Sequence, residues 1–241
     1  MNDVEKNNAT GLNTRNQHNT GTGVGGPSAG GLNNSGNYNN SSQGYRPLAN
    51  PGPLGLLAFA STLFIMSLYT VHARHILVPD LIIGMALFCG GLAQLLAGMW
   101  EFAHANTFSA TVFTMYGAFW LSLAIILIPG TGIISAYSSA GSNMFSDAIG
   151  IFLITWMLVS FLFFIAAMRR TIGQTVFFGF LTLTFMLSGI GAMRHSSGTS
   201  KAGGWLGIIT ALIAFYLGLS ELLTANDLFT LPTGSLRRRD L

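Results

Sequence analysis

Charge is what this sequence has least of. Only 8% of its 241 residues are Asp, Glu, Lys or Arg, and half are hydrophobic. A soluble domain carries about a quarter charged residues, so this chain cannot cover a water-facing surface of ordinary size. Cysteine is nearly absent: Cys89 stands alone. A lone thiol closes no intrachain disulfide and builds no zinc site, so Cys89 reads as a small buried apolar residue. The H-E-x-x-H, G-x-S-x-G and G-x-x-x-x-G-K-[ST] patterns are missing, which removes the zinc-protease, hydrolase and phosphate-loop enzymes they mark. None of the five histidines, His18, His72, His75, His104 and His195, pairs with a carboxylate at metal-ligand spacing inside an apolar run. The chain therefore reads as a non-enzyme with no cofactor and no metal. His72 and His75 lie three apart and are candidates for a weak pH response.

What is present falls into two materials. Residues 1–46 hold 11 Asn and 9 Gly with few apolar side chains. Such a segment cannot bury enough apolar surface to offset its ordering entropy. It has no basic start followed by an apolar run, so it is not a cleavable secretory signal. Three regions are expected: a disordered Asn/Gly-rich tail over 1–48, a membrane domain over 49–228 and a short basic tail over 229–241.

The membrane domain parses into six apolar runs near Pro53–Val71, Pro79–Trp100, Phe108–Ile128, Ala148–Met168, Gly173–Met193 and Trp205–Thr224. A bilayer core of about 30 Å takes ~20 helical residues. Strands of a membrane barrel would alternate apolar and polar, and these runs do not. The fold class is all-α, a six-helix membrane bundle. With both termini cytosolic, Lys6, Arg15, Arg46, Arg169, Arg170 and Arg237 to Arg239 fall inside, against Arg74, Arg194 and Lys201 outside, which satisfies the positive-inside bias. The basic balance is this asymmetry and carries no nucleic-acid signal. Asn8 and Asn40, both in glycan-acceptor triplets, are then expected to stay bare.

Four carboxylates lie at run ends. Asp80 and Asp147 sit at helix N-termini, where the dipole favours them. Glu101 and Glu221 sit at C-terminal ends, where it does not. Each needs a partner such as a basic loop residue, or a proton, and an easily protonated carboxyl would suit proton-coupled transport. Small residues recur at spacing four, with Gln94 in register, through Ala86, Gly90 and Gly98, and again through Gly203, Gly207 and Ala211. Such faces let helices touch closely in lipid, within a bundle or between subunits.

Three blocks carry a resemblance. "NPGPLGL", Asn50 to Leu56, resembles the NPAPLGL signature of the acetate uptake transporter family, also called the Gpr1/Fun34/YaaH or succinate–acetate permease family; Gly52 departs from the usual alanine. "GGLAQLLAGMWEFAHANTFSATVFTMYGAFWL", Gly90 to Leu121, resembles the family's second block, with Gln94, Glu101, Asn106 and Thr107 at its marked positions. "GGWLGIITALIAFYLGLSELLTANDLFTLPTG", Gly203 to Gly234, resembles its last helix and LP-x-G tail.

The resemblance implies a six-helix protomer in a homohexamer, each protomer with its own pore for acetate or related short monocarboxylates, proton-coupled or channel-like. It implies an apolar constriction of a Phe, a Tyr and a Leu. Phe59 and Tyr116 match the first two. On the fifth helix, ungapped matching gives Phe180 and a one-residue shift gives Leu181. Asn50, Pro53 and Leu56 at the first helix start, with Gln94, Glu101, Asn106, Thr107 and Glu221, complete the candidate pore residues. In "NPGP", Pro53 suits a first helical turn, and the freed N–H groups of such a helix end attract anions, so this start reads as the mouth of a wet cavity. A regulatory membrane protein of the same fold and an ammonium-related transporter are the alternatives. The polar tail is outside the family pattern and points to a eukaryotic microbe, with the plasma membrane as the expected location.

Overall fold

The structure, a computed structural model, describes residues 48–141, 143–224 and 227–234. The expected disordered tail lies outside them except for Leu48, as do Asn8, Asn40 and Arg237 to Arg239. Six long helices run through the described residues: α1 Gly52–Thr70, α2 Ile82–Ala103, α3 Thr107–Leu127, α5 Met144–Ala167, α6 Ile172–Met193 and α7 Ser197–Leu222. A short helix, α4 Ile133–Ala140, stands between α3 and α5. No strand occurs among the described residues. The six long helices are apolar and long enough to cross a bilayer, and the chain is a multi-pass membrane protein.

Two helices start earlier than the apolar runs imply. α7 begins about two turns before Trp205, within a stretch of Ser, Gly, Thr and Lys. The Ser196 hydroxyl accepts from the Thr199 N–H at 3.4 Å and from its Oγ at 3.1 Å, so the helix is capped at its first turn. Its small residues are packing surface rather than loop. Gly203, Gly207, Ala211, Ala214 and Gly218 are all buried against α1 and α6. α5 likewise starts at Met144, not Ala148. In α2 the segment Met85–Ala93 is π-helical, a winding that apolar periodicity does not reveal. There a Cβ on Gly90 would stand 2.7 Å from the Trp120 ring, closer than side chains tolerate. The two small-residue faces thus both serve packing inside the bundle.

Packing neighbours run α3, α2, α1, α7, α6, α5. Aromatic contacts close the ring: Phe119 meets Phe152 and Trp156 of α5 at 5.6 and 5.0 Å and Phe185 of α6 at 5.2 Å. Both ends of the described bundle, near Leu48 and after Leu222, share one face with the α2–α3 and α5–α6 turns; we call it the terminal face. There the last described residues fold back. The Ile172 and Gly173 N–H groups donate to the carbonyls of Gly234 and Thr233 at 2.8 and 3.1 Å, and the Tyr216 hydroxyl donates to the Pro232 carbonyl at 2.8 Å. This strap supplies partners to N–H groups that a helix N-terminus otherwise leaves open. Between α7 and the strap, the backbone N–H and hydroxyl of Thr224 both donate to Asp227, at 2.6 and 2.9 Å. They hold its carboxyl below the usual carboxylate range.

Candidate functional site

Two cavities lie on one path through the bundle. The terminal-side cavity, about 30 Å³, is lined among others by Leu56, Phe59, Gln94, Tyr116, Gln174 and Glu221. That exceeds the roughly 10–15 Å³ a water requires. The opposite cavity, about 220 Å³, is lined by residues that include Leu63, Ser67, Trp120, Thr184, Phe185 and Ser188. On α1, α3 and α6 the lining passes from one cavity to the other within two turns. Phe59 gives way to Leu63 on α1, Tyr116 to Trp120 on α3, and Phe178 to Thr184 on α6.

A plug of side chains closes the path between them. Phe59 and Tyr116 are each 1% exposed and Leu181 0%. Phe59 meets Tyr116 at 5.3 Å and Phe177 at 5.5 Å, both edge to face, the geometry that aromatic quadrupoles prefer. Phe178 stacks on Tyr116 at 6.5 Å. Phe180 is not with them. It lines an outer groove with Phe161, Phe164 and Leu183, because one residue along a helix turns the side chain by a little over a quarter circle. Of the two positions the resemblance leaves open, only Leu181 lies in the interior at plug level.

The carboxylates are held differently. Glu101 is buried at 3% exposed. Its Oε2 accepts from the Asn106 side-chain amide at 2.8 Å, while Asn106 Oδ1 caps α3 by accepting from the Ser109 N–H. The partner is thus an amide rather than a basic loop residue. Glu221 is exposed at the cavity mouth, with its carboxylate so close over Gly52 that a Cβ there would collide with it. Among the described residues the one ion pair is His195 with Asp147, at 3.4 Å on the surface of the far end.

The α1 start is more occupied than "NPGP" implies. Exposed Asn50 accepts the Gly52 N–H at 2.9 Å, Gly55 donates to the Pro51 carbonyl, and Pro53 is buried within the first turn. His104 Nε2 bonds the Ala49 carbonyl at 2.9 Å. Few N–H groups remain for an anion, and Glu221 faces them. Thr107 is exposed and lies outside the cavity lining. Four residues that the sequence reading passes over belong to the site: Ser160, Gln174, Phe177 and Phe178. Ser160 has a legible signal, a single hydroxyl inside the apolar run "MLVSFLFFIAA". Gln94 is 1% exposed, and its Oε1, like that of Gln174, is buried without a hydrogen-bond partner among the described residues.

A profile of the GPR1/FUN34/yaaH family matches residues 30–238. The chain belongs to this family. Among its family relatives, "Accumulation of dyads protein 2" of Saccharomyces cerevisiae is 42% identical over 76% of this chain, and "Ammonia transport outward protein 2" of the same yeast is 40% identical over 74%. The chain spans 64% and 63% of those two relatives' lengths. The "Succinate-acetate/proton symporter SatP" of Escherichia coli is 36% identical, with 79% of this chain and 98% of SatP covered. The solved structure of the bacterial acetate channel SatP matches with a TM-score of 0.69 and 33% identity, over 78% of this chain and all of that one. In this family member the plug and its two cavities therefore lie on a fold shared with a channel.

Proposed function

We propose that this family member moves acetate and related short monocarboxylates across a membrane, by proton-coupled or channel-like transport. The observation that carries the reading is the pair of cavities separated by one thin plug of Phe59, Tyr116, Phe177 and Leu181. Relatives named for acetate support the choice of substrate. A small acid suits such a path. Its methyl group meets apolar rings, whereas a bare carboxylate in a dry apolar medium costs on the order of tens of kcal/mol by Born solvation. The pore residues proposed are Leu56, Phe59, Gln94, Tyr116, Leu181 and Glu221, with Asn50, Pro53, Glu101 and Asn106 shaping the terminal face around them.

A homohexamer with one pore per protomer, cytosolic termini and a plasma-membrane location complete the proposal. The outward residues of α5, with Ile151, Leu158 and Leu162 exposed, offer neighbours or lipid an apolar face. The relative named for ammonia transport keeps the ammonium reading in view. Against it, the terminal cavity has one carboxylate, Glu221, and no cluster of acids to cage a cation.

The test is labelled-acetate uptake into liposomes holding the purified full chain, with and without an ammonium gradient and with unlabelled succinate as competitor. Saturable acetate uptake that ignores the ammonium gradient is expected. Uptake no faster than in empty liposomes would defeat the transport reading. Glycan on Asn40 in the native protein would invert the orientation.

A further inference from the structure

Ser160 of α5 is fully buried and its Oγ stands 2.8 Å from the Tyr116 hydroxyl. The same Oγ donates to the Trp156 carbonyl at 2.8 Å. A serine hydroxyl has one proton. With that proton on Trp156, Ser160 can only accept from Tyr116, and Tyr116 in turn has given up its own. What the Tyr116 oxygen has left is a lone pair. Around it stand the rings of Phe59, Trp156, Phe163 and Phe178. One step toward the terminal face the amide oxygens of Gln94 and Gln174 have no hydrogen-bond partner among the described residues, and on the other side of Phe59 the Trp120 N–H has none.

From this geometry we infer that Ser160 is a specificity-determining residue. By taking the Tyr116 proton it turns the plug into a hydrogen-bond acceptor, which admits the protonated carboxylic acid and holds back its anion. The inference rests on the transport reading above and adds to it the protonation state of the permeant species. A carboxylic acid brings an O–H to a lone pair that has no other donor. A carboxylate brings only acceptors, and an acceptor facing an acceptor leaves a buried polar group unsatisfied. The charged groups nearest the path do not reach the plug. Glu221 stands at the mouth, Glu101 is bonded to Asn106, His104 to the Ala49 carbonyl, and the Arg170 guanidinium lies 4.1 Å over the Phe108 ring.

The test uses the full chain in liposomes, with labelled-acetate uptake measured against pH at fixed total acetate, and acetate-dependent current measured across planar bilayers. In the wild type, uptake falls about tenfold per pH unit above the acid's own pKa, as the neutral fraction does, and acetate drives no current. Ser160→Ala frees the Tyr116 proton. It is expected to raise uptake at high pH by about tenfold or more, the worth of one hydrogen bond to a charged group, and to open an acetate current. Tyr116→Phe and the double variant Ser160→Ala/Tyr116→Phe keep the steep profile and carry no current, because neither offers a donor. Ser160→Cys, whose sulfur is a weak acceptor, moves in the same direction by less and serves if the alanine variant does not fold. A wild-type profile in both Ser160 variants overturns the inference, and so does a leak that persists in the double variant, since that would be loosened packing. Acetate uptake with a current in the wild type overturns it while leaving the transport reading intact. No acetate uptake at all defeats the transport reading itself.

Discussion

The two cavities differ in more than size. The terminal one holds about 30 Å³ and is furnished with two amides and a carboxylate, Gln94, Gln174 and Glu221. The opposite one holds about 220 Å³ and its polar lining is mostly hydroxyl, Ser67, Thr70, Thr184, Ser188 and Ser200, beside the indole N–H of Trp120. Hydroxyls on a helix can satisfy themselves. Thr70 donates to the Met66 carbonyl at 2.9 Å and Thr184 to that of Phe180 at 2.9 Å, the back-bond that serine and threonine make in helices. An amide on Gln94 has no such outlet, and its oxygen stays open. The Trp120 N–H on the hydroxyl side is likewise unpartnered among the described residues and packs beside Phe59. Each vestibule therefore carries an unmet demand next to the plug, an open acceptor on the terminal side and an open donor on the other.

The sharpest way to break this contrast is to remove the wall between the two. Phe59→Ala deletes a ring that touches Tyr116, Trp120 and Phe177. It is expected to cost about 3–5 kcal/mol of stability where the void stays open, read as a lowered melting temperature. It should also abolish discrimination of acetate against succinate in uptake. Unchanged discrimination would mean that the path does not narrow at Phe59.

A smaller effect compares the two ends. Asn106→Ala leaves the buried Glu101 carboxylate without its amide partner, at about 1–3 kcal/mol. At the far end His195→Ala removes an exposed ion pair with Asp147, worth about 0–1 kcal/mol. Thermal melts of the two variants should separate them in that order. Smaller again, Gln94→Leu should slow acetate uptake by about fivefold to tenfold, the worth of one ordinary hydrogen bond. Thr70→Val on the hydroxyl side should stay within about twofold, as substitutions away from special features do. Equal losses would erase the difference between demanding amides and satisfied hydroxyls. The smallest change in transport comes from ending the chain at Leu231. It leaves the Ile172 and Gly173 N–H groups without their carbonyl partners, while the Thr171 hydroxyl still caps the Gln174 N–H. The cost is about 1 kcal/mol, by analogy with a lost N-cap, and should shift the melt slightly while leaving size selectivity in place.

Much of the bundle is legible in sequence because apolar length alone specifies a membrane helix. The errors share a cause. Ser197 to Gly204 reads as loop from its composition, yet glycine is what lets α7 press on α1 and α6. The π-helical winding of α2 leaves no periodic trace in its apolar residues. Phe59 follows the NPGPLGL signature by three residues and Tyr116 stands in the second block, so their place at one level is anticipated. On α6 a shift of one residue decides between the interior and the outer groove, and an ungapped match cannot resolve a rotation. Phe180 and Leu181 part ways on that angle. The Ser160 contact is beyond reach for another reason: it joins α5 to α3 across 44 residues of chain, and only the packed bundle shows that the two hydroxyls meet.

The strap at the terminal face bears on the order of synthesis. The Ile172 N–H takes its partner from Gly234, a residue that leaves the ribosome only after α6 and all of α7 have been made. Until then the helix that carries Phe177 and Leu181 has its Gln174 N–H capped by Thr171 but the N–H groups of Ile172 and Gly173 without these carbonyl partners. A nascent chain can therefore insert all six spans before the first turn of the helix bearing half the plug has all its partners, and the strap is among the last contacts that helix makes.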